Sequence, residues 1–363
     1  MIAARTLAAV VLLSLPAFAG PPALVYYGWG IPETSWVRDH WESMDAAPFD
    51  GTAFVVAVDR EAWRRGERDV RNQLGWHLFG PRRFSDADVR SALDDLRVAR
   101  WRRLTRNFVP ACINSQPQGA GFSWLDDGRW DGIVQNWRVL AGFAKRAGLR
   151  GVILDPEDYG GRIFRHDPTA GIGFDQHRRA VQRRGRELMA AVRDAFPDVT
   201  ILALYGHTLA LADAEAGTLA SGTYGLYPAF LDGLLEGAGP DAQVVDGYEF
   251  AYGFTRRAQF VGAAREIRED GRALSRLPAL YDRHVRVGFG LWLDHEGPAR
   301  WHPEEPARNH FTPSGWQAAV EAALRTSDGW VWVYSQRPGF FPPQALPAAY
   351  VEATEAARRA ARR

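Results

Sequence analysis

Two kinds of hydrophobic pattern alternate along this chain. Short runs that are apolar at nearly every position recur at residues 23–30 (ALVYYGWG), 51–58 (GTAFVVAV), 105–114 (TRNFVPACIN), 151–155 (GVILD), 200–206 (TILALYG), 243–252 (QVVDGYEFAY), 285–294 (VRVGFGLWLD) and 329–336 (GWVWVYSQ). Runs of this length, rich in β-branched and aromatic residues, fit strands covered on both faces. Between them apolar residues fall at helical spacing. Val89, Ala92, Leu93 and Leu96 follow the capping residue Ser85, and Ile133, Trp137, Leu140 and Phe143 share another face. An Arg-rich helix is expected over 175–196 and a short one over 226–237. Helix starts are expected at Thr34, at Thr255 and at Thr312-Pro313, where a cap precedes proline in the first turn. A closing helix is expected over 347–362. Residues 59–84 read as a long polar insertion carrying Trp63, Trp76 and His77.

The strand starts lie near 24, 51, 105, 151, 200, 243, 285 and 329, most of them 42 to 54 residues apart. Each interval has room for a returning helix, so the expected fold is an α/β, single-domain (β/α)8 TIM barrel. A doubly wound open sheet is the competing architecture, but no G-x-G-x-x-G or P-loop pattern follows the first strand.

Composition narrows the possibilities without choosing among them. The 363 residues are 46% hydrophobic and 24% charged, as in ordinary folded proteins, and a net charge of +1 gives no electrostatic reason for a nucleic-acid partner. Arg5, the apolar stretch 7–15 and the small-x-small Ala17-Phe18-Ala19 have the form of an export signal. The expected organisation is therefore a signal peptide over 1–19 and a barrel over 20–363, secreted or periplasmic, with no membrane attachment after cleavage. Cys112 is the sole cysteine, so the chain has no internal disulfide. The 14 tryptophans exceed what packing alone asks for and suit a site where flat apolar faces are needed.

In a barrel the chemistry gathers at the carboxyl ends of the strands. The fourth strand passes from Val152-Ile153-Leu154 into Asp155-Pro156-Glu157, and strand parity sets Ile153, Asp155 and Glu157 on one face. Glu157 is the candidate general acid, with Asp155 raising its proton affinity by like-charge repulsion. Glu249 on the sixth strand and Asp294 on the seventh are the candidate second carboxylates. A bulge near Glu249 can instead turn Asp246 and Tyr248 inward, and Asp294 can instead anchor a loop. Gly288, Gly290 and Trp292 precede Asp294 on one face, the glycines leaving room for bulky neighbours. Tyr27, Trp29, Asn114, Tyr205, His207, Tyr252, Trp292 and Tyr334 also fall at strand ends and are candidate substrate contacts. Trp332, in mid-strand, reads equally as core.

Paired carboxylates among aromatic faces are the equipment of glycoside hydrolysis. The chain resembles TIM-barrel glycoside hydrolases as a superfamily, many of which place the acid/base Glu at the end of strand four, as Glu157 stands here. It also resembles the chitinase-like families in part, through Asp155 and Glu157; that resemblance implies roles for Tyr248 and Trp332 in letting the substrate's acetamido group attack. Ile153 stands where those families carry a further Asp.

The expected partner is thus a carbohydrate substrate, and neither a cofactor nor a metal is expected. Alternative functions are a non-catalytic carbohydrate-binding barrel and a metal-dependent barrel hydrolase using His207, Asp294 and His295. The loop bearing His295, Glu296, His302, Glu304 and His310 matches no compact metal motif and reads as a solvated segment. With no G-x-S-x-G elbow present, Cys112 reads as core rather than nucleophile.

Overall fold

Eight parallel strands, each followed by a helix that returns over the outside, make up the fold in a computed structural model that describes residues 20–115, 121–341, 343–344 and 346–363. The strands are β1 (Ala23–Tyr26), β2 (Gly51–Thr52), β3 (Phe108–Cys112), β4 (Gly151–Asp155), β5 (Thr200–Ala203), β6 (Gln243–Asp246), β7 (Val285–Trp292) and β8 (Trp330–Tyr334). The helices behind them are α1 (Thr34–Asp45), α2 (Asp86–Leu96), α3 (Asp127–Arg146), α4 (Phe174–Ala195), α5 (Tyr227–Gly237), α6 (Arg257–Glu266), α7 (Pro313–Thr326) and α8 (Ala348–Ala360). The export-type segment lies outside the described residues, as do Gln116 and Gly119 of the loop after β3.

Hydrogen bonding runs in the order β2-β1-β8-β7-β6-β5-β4-β3. The two ends of that order meet: Ala53 bridges Phe108, and the Phe54 N–H donates to the Phe108 carbonyl at 3.1 Å. The sheet therefore closes on itself and leaves no long free edge, the liability that closure removes. This is the expected (β/α)8 barrel.

Several elements are shorter than the hydrophobic runs that foretold them. The second run leaves the ladder after Thr52 because Val55 bridges Glu33 and Ala57 bridges Gln73, giving β2 over to the loops above it. The sixth stops at Asp246, where Tyr248 enters the left-handed region (φ 35°) and a short turn of helix, Glu249–Ala251, begins. Ser85 caps α2 in a capping box with Asp88, and Thr312 accepts from the Gly315 N–H at the start of α7, as expected. Thr34 is instead the first helical residue, with the Glu33 carboxylate accepting from the Ser35 N–H at 2.8 Å.

Two apolar cores result. The outer one lies between strands and helices and includes Val89, Leu93, Ile133, Trp137, Leu140 and Phe143. The inner one fills the barrel with Ala23, Val25, Phe108, Ile153, Val245, Trp330 and Trp332. Two glycines give one of its two tryptophans, Trp332, its space: a Cβ at Gly290 would lie 2.6 Å from the indole, and one at Gly247 would lie 2.9 Å from its Nε1. The indole N–H donates to the Gly247 carbonyl at 2.9 Å, so the ring is fixed as well as packed. It forms the floor on which the site stands.

Candidate functional site

Above that floor opens a cavity of about 830 Å³, lined at its base by Tyr27, Cys112, Asp155, Glu157, Glu249 and Trp332. The carboxylates of β4 and β6, far apart in sequence, thus meet in one chamber. Parity holds where it matters: Ile153 is in the inner core, and Asp155 and Glu157 continue the same face upward. On β6 the turn after Asp246 keeps Glu249 on the inner side. Asp246 stays buried behind it, accepting from the Gly206 and Tyr248 N–H groups, and Tyr248 packs outward with its hydroxyl on Glu266.

Tyr159 continues the alternation of Asp155 and Glu157 by one more step. Its hydroxyl lies 2.6 Å from Glu157 Oε2 and 3.0 Å from Asp155 Oδ2, while the Glu157 N–H donates to Asp155 Oδ1 at 2.9 Å. Burial, then the neighbouring Glu157, raise the Asp155 carboxyl to about 7. Glu249 is raised to about 9 by burial first and then by Glu157 and Asp155; hydrogen bonding from Tyr252 and Tyr205 opposes the shift without reversing it. The largest causes of both shifts are burial and neighbouring carboxyls. Glu249 Oε2 is buried and finds no hydrogen-bond partner among the described residues. A buried carboxyl without a cation or a full set of donors is cheapest when protonated. Burial and its carboxylate neighbours thus favour the protonated form of Glu249.

Aromatic rings form the wall. Tyr252 stacks on Tyr334 (5.7 Å between centroids), both lie edge-on to Trp292, and Tyr252 also meets Trp332 at 5.4 Å. Trp29 stands at the rim, 60% exposed, beside Tyr334. The polar insertion brings Trp63 and Trp76 to the same cavity, Trp76 packing 4.9 Å from the Tyr159 ring.

The structure therefore brings Asp155, Glu157, Glu249, Tyr27, Trp29, Tyr252, Trp292 and Tyr334 together, with Tyr205 beside Glu249. Three expected members are placed elsewhere. Asp294 lies beyond the end of β7 and accepts from the Gln336 N–H, the Arg337 N–H and the Trp292 indole, each at 2.9 Å, which makes it the anchor of two loops. Asn114 is fully buried, its amide donating to the Pro156 carbonyl and accepting from the Ile163 N–H, so it braces the loop after β4. His207 points away from the barrel axis to Asp232, at 3.0 Å. His207, Asp294 and His295 consequently form no common metal-ligating group among the described residues. Sequence reasoning passed over Tyr159, whose signal was the continued period-two spacing 155, 157, 159. It also passed over Trp63 and Trp76, which carried none beyond their type.

No protein-family model matches the chain, and no curated protein is significantly similar in sequence. Solved structures similar in fold include a Bacteroidetes-affiliated GH5 cellulase (TM-score 0.49, 11% identity, covering 93% of this chain and 91% of that one). A D-psicose 3-epimerase from Clostridium cellulolyticum H10 is also similar (TM-score 0.45, 10% identity, 94% and 98% covered). So is a GH18 chitinase from Pseudoalteromonas aurantia (TM-score 0.37, 10% identity, 86% and 93% covered). At these identities the likeness is one of fold, and it extends over glycosidases and an epimerase alike.

Proposed function

We propose that the protein is a glycoside hydrolase acting on an oligosaccharide or polysaccharide. The observation that carries this reading is the meeting of the buried Glu249 with Glu157 across one aromatic-walled cavity. Cleavage of a glycosidic bond needs a carboxylic acid to protonate the leaving oxygen and a carboxylate to stabilise or attack the oxocarbenium-like centre. The sequence suggested Glu157 for the first task. The deeper burial of Glu249 favours the opposite division: Glu249 is the acid, and Glu157, more open to water and hydrogen-bonded to Tyr159, is the carboxylate partner. Burial and then Glu157 push the Asp155 carboxyl upward, which favours its neutral form and keeps negative charge from doubling beside Glu157. Trp29, Tyr252, Trp292 and Tyr334 offer flat faces to sugar rings. The segment over 1–19 supports export, which N-terminal sequencing of secreted protein tests by cleavage after Ala19.

The deciding experiment is product release from a panel of polysaccharides and oligosaccharides by the wild-type chain, Glu157→Gln and Glu249→Gln. Release by the wild type and its loss in both variants supports the reading. Glycan binding by the wild type without product release from any substrate points instead to a non-catalytic carbohydrate-binding barrel. Unchanged turnover in Glu157→Gln removes that residue from the mechanism.

A further inference from the structure

Beyond the β7 end of the barrel, the loop that leads to α7 folds back so that its two ends touch. His295 and Glu296 leave β7, and His310 stands two residues before the Thr312 cap of α7. Ligand-type atoms of all three lie within 4.8 Å of one another, and the two imidazole centroids are 4.5 Å apart. We infer that His295, Glu296 and His310 form a binding site for a late first-row divalent cation, with zinc the best match to two imidazoles and one carboxylate.

Three features of these residues carry the inference. His310 Nε2 lies 3.0 Å from the Gly253 carbonyl. A carbonyl can only accept, so the proton is on Nε2 and the Nδ1 lone pair is left free. Such a backbone bond on the far nitrogen is the usual way a metal-ligating imidazole is oriented. His295 presents the complementary feature, since its Nδ1 is buried and has no hydrogen-bond partner among the described residues. Glu296 sits at φ 72°, a strained conformation for a residue with a Cβ, followed by Gly297 at φ 89°. Among the described residues its carboxylate's ion-pair partner is the Arg300 guanidinium at 4.0 Å, a weak competitor.

The donor set excludes the hard cations. Calcium and magnesium take oxygen ligands, whereas two imidazoles and a carboxylate in a tripod suit zinc and leave a fourth position for water. The site stands outside the cavity, so its role is to hold shape. Bound metal would clip the ends of the β7–α7 loop together and, through His310, to Gly253 after β6. His295 lies edge-on to Trp292, 5.4 Å away, so the clip would also steady one wall of the cavity.

The test reads metal rather than turnover and is therefore independent of the glycosidase proposal. The full chain is stripped with chelator and dialysed, then titrated with Zn²⁺ by calorimetry, with the melting temperature followed in parallel. The expected result is one zinc per chain and a higher melting temperature with zinc. Glu296→Gln, an exposed and nearly isosteric change, and His310→Ala each weaken zinc binding by at least about tenfold, since even changes behind a metal ligand cost that much. No saturable zinc binding would overturn the proposal, as would unchanged affinity in Glu296→Gln or saturable binding of Ca²⁺ in place of Zn²⁺.

Discussion

The phenol of Tyr159 approaches Glu157 Oε2 to 2.6 Å while reaching Asp155 Oδ2 at 3.0 Å. A hydroxyl has one proton and cannot donate to two carboxylates at once. Whichever carboxylate receives it, the phenol's hydrogen bond steadies negative charge on the pair and so opposes the rise of Asp155, which burial and Glu157 nonetheless push up to about 7. Tyr159 is thereby the donor that two adjacent carboxyls share.

Tyr159→Phe removes this donor. The phenol opposes the rise of the Asp155 carboxyl, so its loss pushes that group further up. The phenol also donates to Glu157, the proposed carboxylate partner, so on the proposed reading turnover falls by about 10- to 100-fold. Unchanged turnover would remove Tyr159 from the support of Glu157.

Glu249→Gln separates activity from stability. The carboxyl ordinarily titrates near 4.5 and here near 9, so the folded protein holds a proton that the unfolded chain would release between those values. Its contribution to stability is complete below about pH 4.5 and declines as pH rises toward 9. The glutamine cannot ionise and escapes that decline. The variant should melt higher than wild type at pH 8.5, by about a few degrees, and no higher at pH 4, while turnover is lost. Melting curves at the two pH values check the sign.

Asp294→Ala is expected to act on stability. It removes the acceptor for the Gln336 and Arg337 N–H groups and the Trp292 indole, leaving three donors without it at a partly buried site. The cost should be about 2–4 kcal/mol by denaturant unfolding, with turnover lowered far less than by Glu157→Gln. Equal losses of turnover in the two variants would return Asp294 to the chemistry.

Trp29→Ala tests the rim. The side chain is 60% exposed, so little packing is lost and the melting temperature should hold. A ring that stacks on sugar should show itself as an increase in KM of about tenfold, equivalent to about 1.4 kcal/mol of binding. An unchanged KM across the substrate panel would remove Trp29 from the binding surface.

The barrel was legible in the sequence because its signal is periodic and repeated. Eight buried apolar runs and the helical faces of α2 and α3 each state the same arrangement, and local errors such as the overlong second run do not disturb the total. Within the site, the pair Asp155 and Glu157 was legible for a related reason: Asp155 ends β4 and the alternation carries on two residues past it, so both reach the same cavity. Glu249 was legible as a type of residue at a strand end, but its depth was not.

What the tertiary structure decided concerns residues past the last ladder bond. Asp294, Asn114 and His207 all follow strands, yet there the period-two rule lapses and side-chain direction depends on which backbone donors or partners lie within reach. Asp294 found the Gln336 and Arg337 N–H groups, Asn114 the loop after β4, and His207 the buried Asp232. The meeting of His295, Glu296 and His310 across a folded loop is of the same kind. Spacing along a chain reports direction only while the backbone is regular; beyond that, long-range contacts choose it.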